Sequence, residues 1–181
     1  VVQLVNKIHQ ALDNNPHLKA RVDVETCFLS CVSATPDMNP PKSVDASWNL
    51  FDTEGQDPIS GATALPLAVT AAETLDAFVT RKGINRLDLM KLDVEGYELD
   101  VLRGGESSIK TFRPVILMEW NPYLCGLRGA TLEELRKFWQ EHEYVTYRLR
   151  LKRPPKSVSW DELTRLGRMS HVDLLLKPAV S

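Results

Sequence analysis

The sequence has few of the residues that build disulfide frameworks and metal clusters. It contains three cysteines, Cys27, Cys31 and Cys125, and an odd number at irregular spacing is no disulfide framework. No second cysteine pair or nearby histidine completes a zinc site around Cys27 and Cys31. The four histidines lie far apart in the chain, without the spacing of metal ligands. We therefore expect reduced thiols, as in the cytoplasm, and no resident metal.

The chain also lacks a strong excess of charge and a long apolar run. Its formal net charge of −2 argues against a broad electrostatic footprint for nucleic acid. No apolar stretch approaches the roughly 20 residues that span a bilayer, and residues 1–12 are amphipathic rather than a signal peptide. The composition, 43% hydrophobic and 25% charged, is that of an ordinary soluble protein. These features predict a cytoplasmic protein with one domain, residues 1–181, no nucleic-acid partner and no membrane span.

Short apolar runs alternate with amphipathic stretches along the chain. We predict an opening helix within 1–12 and strands near 22–25, 28–32, 65–69, 87–94, 114–120, 144–149 and 172–176. Capping boxes predict helices that begin after Thr70, Thr131 and Ser159. Loop signals fill residues 33–64, and we also expect loops at 121–130 and 150–156. Strands alternating with helices indicate an α/β fold with a parallel sheet.

The most informative segment is residues 87–105, where an apolar run ends in the acidic cluster Asp93-Val94-Glu95-Gly96-Tyr97-Glu98. An amphipathic stretch follows at once, which predicts a buried strand that stops at an acidic turn and opens a helix. Ligands of α/β proteins bind at the carboxyl ends of strands. Glu119 ends the next predicted strand. Two carboxylates on adjacent strand ends could hold a divalent cation, or act as a general base and its orienting partner.

Each of these carboxylates also has a purely structural interpretation. Asp93 could be a helix N-cap, and Glu95 could stabilise the first turn of the following helix. Glu119 could form a salt bridge with Lys91 or Arg103.

Two further residues are candidates for the substrate side of the same crevice. Asn121 directly follows the predicted strand 114–120, which carries Glu119 near its end. Trp48 lies in an apolar island, residues 48–51, within the long loop region, and it is a candidate lid over the substrate. The alternative for the island is a satellite hydrophobic cluster under a long loop.

The chain resembles the FkbM-type methyltransferases, which use S-adenosylmethionine. The resemblance is carried by Thr74-Leu75-Asp76, by Lys91-Leu92-Asp93-Val94-Glu95-Gly96-Tyr97-Glu98, by Val101-Leu102-Arg103-Gly104, and by the strand that ends in Glu119. It implies a Rossmann-like class I methyltransferase sheet with helices on both faces. It also implies methyl transfer from S-adenosylmethionine to a hydroxyl of a small molecule or sugar.

The resemblance further assigns roles to individual residues. For a methyltransferase we expect Asp93 to be catalytic and to hold or orient the cofactor, and Glu119 or Glu95 to serve as a base or a metal ligand. Cys31-Val32-Ser33 resembles the end of the third strand, which places Ser33 beside the adenine ring. Asp173-Leu174-Leu175 resembles the final antiparallel strand.

One element of the family pattern is missing from the sequence. Family members carry a glycine-rich turn after their first strand and an acidic residue after their second, and the nine glycines here never form such a cluster. The family sheet order is 3-2-1-4-5-7-6, so we expect an N-terminally incomplete domain without strands 1 and 2. The strand that ends in Asp93 would then have an unpaired edge. The alternative function is a degenerate or truncated methyltransferase fold that serves as a non-catalytic interaction module. A metal-dependent hydrolase that uses Asp93, Glu95 and Glu119 is a third hypothesis.

Overall fold

The computed structural model describes residues 2–32, 72–165 and 171–179, which alternate between helices and strands. The helices are α1 (Val2–Asp13), α2 (Pro16–Lys19), α3 (Leu75–Arg81), α4 (Glu98–Gly104), α5 (Glu106–Phe112), α6 (Pro122–Leu127), α7 (Leu132–Glu141) and α8 (Trp160–Thr164). The strands are β1 (Phe28–Leu29), β2 (Ala72–Glu73), β3 (Leu89–Leu92), β4 (Val115–Trp120), β5 (Tyr144–Arg150), β6 (Arg153–Ser157) and β7 (Val172–Pro178). The predicted α/β class is confirmed at the level of a mixed α/β fold.

The main sheet has five strands in the order β3-β4-β7-β5-β6. β3 and β4 are parallel, whereas β7 is antiparallel to both of its neighbours and β6 is antiparallel to β5. The sheet is therefore mixed, which corrects the expectation from strand and helix alternation that it would be parallel. Within the described residues β3 pairs only with β4, so it forms one edge of the sheet.

β1 and β2 form a separate parallel pair, with Phe28 opposite Ala72. This pair lies close to α4, because a Cβ atom on Gly104 would overlap the carbonyl oxygen of Ser30. No strand forms at 22–25, where we expected one. The capping box predicted after Thr70 is also wrong, because Glu73 belongs to β2 and the helix begins later, with Thr74 as its N-cap.

The core packs α4, α5 and α7 against the main sheet. α7 begins with the predicted capping box, in which the Thr131 hydroxyl accepts the backbone N–H of Glu134. The largest side chains with almost no exposure are Trp120, Trp139, Leu102, Ile109, Ile116, Met118, Leu135, Leu174 and Leu176. β4 alternates between half-buried and buried residues, because successive side chains of a strand point to opposite faces of the sheet.

Two segments predicted as loops are regular elements. Residues 122–127 form α6, because Pro122 occupies the first helical turn and Asn121 caps it. Residues 153–157 form β6, a proline-containing edge strand, which is where a sheet tolerates proline. No helix within the described ranges is long and apolar enough to cross a membrane.

Candidate active site

Carboxylates from three neighbouring strands meet at one end of the main sheet, where β3 and β4 finish. We call the group formed by Asp93, Glu119 and Asp173 the acidic edge. Leu92 pairs with Met118 in the parallel register of β3 and β4, so Asp93 and Glu119 follow at adjacent positions. Glu119 in turn lies opposite Asp173 of β7 in the antiparallel register. The sheet thus brings together two of the predicted site residues and adds Asp173.

Asp93 is held by a lysine of its own strand. Lys91 Nζ donates a hydrogen bond of 2.5 Å to Asp93 Oδ2, and this bond, more than any other interaction, raises the pKa of Lys91. The charges of Asp173 and Glu119 raise it further. The structural alternative for Asp93, a helix N-cap, is wrong, because α4 begins at Glu98 and its N-cap position is Tyr97.

Glu119 is half-buried, and burial is the first cause that raises the pKa of its carboxyl group. The charges of Asp93, Glu95 and Asp173 raise this pKa as well, while His171 lowers it. The predicted salt bridge from Glu119 to Lys91 or Arg103 is not formed, because Lys91 pairs with Asp93 and Arg103 pairs with Glu134. Glu119 is therefore placed to take up a proton more readily than a solvent-exposed glutamate.

Glu95 lies in the turn between β3 and α4, outside the first helical turn that we expected for it. Partial burial raises the pKa of its carboxyl group, and the charges of Asp93 and Glu98 add to this effect. Its φ angle of 53° is in the left-handed region, which non-glycine residues seldom adopt. A strained residue beside a carboxylate cluster is typical of functional sites.

Two features fix the acidic turn, the buried carboxylate of Glu98 and the glycine at position 96. Glu98 is 2% exposed, and its Oε1 accepts the backbone N–H groups of Val94 at 3.1 Å and Gly96 at 3.4 Å. Gly96 has a φ angle of 98°, and a Cβ atom there would lie 2.6 Å from the carbonyl oxygen of Leu124. The turn therefore requires a glycine at one position and a buried acceptor at another.

A cavity of about 200 Å³ adjoins this turn. It is lined by Cys27, Phe28 and Leu29 on the β1 side and by Asp93, Val94, Glu95 and Tyr97 on the turn side. The Phe28 and Tyr97 rings meet edge to face, with centroids 5.4 Å apart, and the Arg128 guanidinium lies 4.9 Å from the Tyr97 ring centroid. The cavity thus combines an aromatic wall with two carboxylate side chains.

The other predicted site residues have different outcomes. Asn121 caps α6, because its Oδ1 accepts the N–H groups of Tyr123 at 3.1 Å and Leu124 at 3.2 Å. Its role on the substrate side stays a prediction. Ser33 and Trp48 lie outside the described residues.

The sequence alone does not assign Asp173, Phe28 or Tyr97 to the site. Asp173 follows the first residue of the last strand, and only the antiparallel pairing of that strand with β4 places it opposite Glu119. The described ranges contain no group of three or more side chains that could hold a metal ion, so they offer no ligand set for the hydrolase hypothesis.

One of the three comparisons with known proteins finds a match. A family model described as the methyltransferase FkbM domain matches residues 48–146, more than half of the chain. The match includes β3, the acidic turn and β4. No curated protein and no solved structure matches the chain.

Proposed function

The chain belongs to the FkbM methyltransferase family, and we propose that it transfers the methyl group of S-adenosylmethionine to a hydroxyl group of a small molecule or sugar. Family membership supports methyl transfer in general. The observation that carries the more specific proposal is the acidic edge of the sheet, formed by Asp93, Glu119 and Asp173, beside the cavity lined by Phe28 and Tyr97.

The described residues fit one end of S-adenosylmethionine. The cofactor joins a flat adenosyl group to a sulfonium cation, and the cavity offers an aromatic wall together with the carboxylates of Asp93 and Glu95. A volume of about 200 Å³ is below the roughly 300 Å³ at which ligand pockets begin, so it suits one ring system rather than the whole molecule. Asp93 and Glu95 would hold cationic or hydroxyl groups of the cofactor.

Glu119 is the best-placed general base. When bound, S-adenosylmethionine supplies an electrophilic methyl group. Transfer forms a carbon–oxygen bond, breaks a carbon–sulfur bond and releases the proton of the acceptor hydroxyl. Glu119 accepts this proton, because its raised pKa makes it a better base than an exposed carboxylate. Lys91 keeps Asp93 in place, so that Asp93 orients the bound groups while Glu119 moves the proton.

The strand order supports a Rossmann-like methyltransferase sheet as part of the same proposal. In chain order β3, β4, β5 and β7 correspond to strands 4, 5, 6 and 7 of the family sheet, and their spatial order β3-β4-β7-β5 equals 4-5-7-6. The antiparallel β7 also agrees with the resemblance. Strands 1 and 2 of the family sheet would lie beside the edge of β3 that has no partner in the described residues.

The test is methyl transfer by the purified protein, with S-adenosylmethionine and a panel of sugar and small-molecule alcohols. Mass spectrometry should detect a methylated product and S-adenosylhomocysteine, and Glu119→Gln should lower the rate. Glu141→Gln, a change at an exposed glutamate at the end of α7, should leave the rate unchanged. If the protein neither bound the cofactor nor formed a product with any acceptor, the result would instead favour the non-catalytic interaction module.

A further inference from the structure

The hairpin formed by β5 and β6 concentrates positive charge. Residues 148–157 contain five of the 22 lysines and arginines and no aspartate or glutamate, although the whole chain carries a formal charge of −2. All five side chains are exposed: Arg148, Arg150, Lys152, Arg153 and Lys156. Such a segment forms a local basic surface on a chain whose remaining charge is acidic.

The strand register places these cations directly opposite one another. Arg148 pairs with Lys156, and Arg150 pairs with Arg153. Like charges at opposite positions of an antiparallel pair destabilise it. Within the described ranges the one acidic partner of the hairpin is Glu162, 3.4 Å from Lys156. The remaining cations are therefore available to an anionic surface.

The tip of the hairpin carries an apolar side chain between two cations. Leu151 is 89% exposed, whereas the next most exposed large apolar residue in the described ranges, Leu89, is 57% exposed. Transfer of an aliphatic side chain from water into an apolar layer lowers its free energy. An apolar tip flanked by cations matches a membrane surface, where anionic headgroups cover hydrocarbon.

A second cavity lies at the base of the hairpin. It measures about 190 Å³, and Arg148, Arg150, Lys156 and Ser157 line it together with Val158, Glu162 and Leu163. The Glu162 carboxylate is engaged by Lys156 and by the backbone N–H of Ser159. Guanidinium and hydroxyl donors around such a cavity are the groups that hold a phosphate.

The tip of the hairpin lies at the same end of the sheet as the candidate active site, where β3 and β4 finish, although β6 and β3 are at opposite edges. Met118 pairs with Leu174, Leu174 with Arg148, and Arg148 with Lys156. These paired residues form one row across β4, β7, β5 and β6, one residue before Glu119 in β4. A surface that holds the hairpin tip therefore faces the acidic edge of the sheet.

We propose that the β5–β6 hairpin docks the protein on an anionic phospholipid surface, with Leu151 entering the headgroup region and the surrounding cations contacting lipid phosphates. A nucleic acid fits less well, because its phosphates cover no apolar layer for Leu151. The inference does not depend on methyl transfer, since it rests on the hairpin alone.

Vesicle flotation tests the proposal with the whole protein. Vesicles of phosphatidylcholine mixed with phosphatidylglycerol should bind the protein, vesicles of phosphatidylcholine alone should not, and added salt should weaken the binding. Arg150→Gln and Lys152→Gln should each weaken binding about fivefold, the effect of one basic residue near such a surface. Lys110→Gln, an exposed lysine on α5, should have no effect.

The apolar tip separates lipid docking from other anion binding. Leu151→Ser should weaken vesicle binding about tenfold, whereas Leu127→Ser, at a half-exposed leucine on α6, should not. No binding to anionic vesicles, or equal binding to neutral ones, would overturn the proposal. The proposal would also be overturned if inorganic phosphate displaced the protein from the vesicles more than chloride of equal ionic strength did, and Leu151→Ser did not change this displacement. Tighter binding to an oligonucleotide than to anionic vesicles, again unchanged by Leu151→Ser, would overturn it as well.

Discussion

Lys91 Nζ donates a 2.5 Å hydrogen bond to Asp93 Oδ2 across the end of β3. Because of this ion pair, the carboxylates of the acidic edge have two different environments. Asp93 has a cation beside it, whereas Glu119 is half-buried and has no ion-pair partner in the described part of the chain. This difference is the physical basis for assigning an orienting role to Asp93 and proton transfer to Glu119.

Replacing Lys91 should shift the pH dependence of methyl transfer. Lys91→Met removes a cation whose charge interacts with Glu119, so the pKa of the Glu119 carboxyl group should rise further. The acid limb of the pH–rate profile should move to higher pH, and only slightly, because the Lys91–Asp93 pair is exposed to solvent. Arg86→Met, which removes an exposed pair with Asp88 ahead of β3, is the control. An unchanged limb, or one moved to lower pH, would contradict the assignment.

Glu119→Gln should slow turnover without loss of stability at neutral pH. Removal of a general base lowers rates by about 100-fold to 10,000-fold. Burial and neighbouring charges raise the pKa of Glu119 in the folded state. Its contribution to stability is therefore fully present below the unfolded pKa and is lost as pH rises through the folded pKa.

Urea unfolding at pH 4 and pH 8 checks the direction of this pH dependence. The stability of the Glu119→Gln variant relative to the natural protein should be greater at pH 8 than at pH 4. A variant that loses relative stability as pH rises would show that an unrecognised cation stabilises Glu119.

The sequence predicts the elements of the site better than their assembly. The apolar run before Asp93, the strand that ends in Glu119 and the capping boxes at Thr131 and Ser159 are local patterns, and the structure contains all four elements. Local patterns suffice here because caps and apolar runs act over a few residues.

The parts that the sequence did not predict depend on contacts between distant residues. β2 forms where the sequence predicts a capping box, because Glu73 belongs to a strand paired with β1 and its carboxylate pairs with Arg81. Asp173 joins the site only through antiparallel pairing with β4. The buried position of Glu98 likewise depends on the turn that folds over it.

Gly96→Ala should destabilise the protein more than a matched glycine substitution. A Cβ atom at this position meets the Leu124 carbonyl oxygen at 2.6 Å, in addition to the cost of a positive φ angle. Gly129 has a φ angle of 74°, and a Cβ atom there would meet nothing within 4 Å, so Gly129→Ala isolates the conformational cost, about 1 kcal/mol. Denaturant unfolding should show a further loss of about 1–3 kcal/mol in Gly96→Ala. Equal losses in both variants would contradict the close approach.

Glu98 should prove to be a structural residue of the acidic turn. Glu98→Ala leaves the N–H groups of Val94 and Gly96 without their acceptor, at a cost of about 1–3 kcal/mol for each buried group. Glu98→Gln keeps an acceptor oxygen and should lose less stability. If urea unfolding ranks the two variants in the opposite order, the carboxylate charge rather than the hydrogen bonds fixes the turn.

His142 should make the protein sensitive to mild acid. Its side chain is 8% exposed, and burial lowers its pKa against the opposing charge of Glu106. The folded state therefore binds a proton less readily than the unfolded chain, and stability falls as pH drops from about 6.5 through the folded pKa. His142→Gln should flatten stability in this range, as measured by thermal unfolding between pH 7 and pH 5. An unchanged slope would assign the acid sensitivity to other groups.

Calorimetric titration with S-adenosylmethionine tests the central assignment most directly. The protein should bind the cofactor, and Asp93→Asn should weaken binding by about tenfold or more, as expected for loss of a charged hydrogen-bond acceptor. Absence of binding to the natural protein, or the same affinity in the Asp93→Asn variant, would contradict a cofactor site at the acidic end of β3.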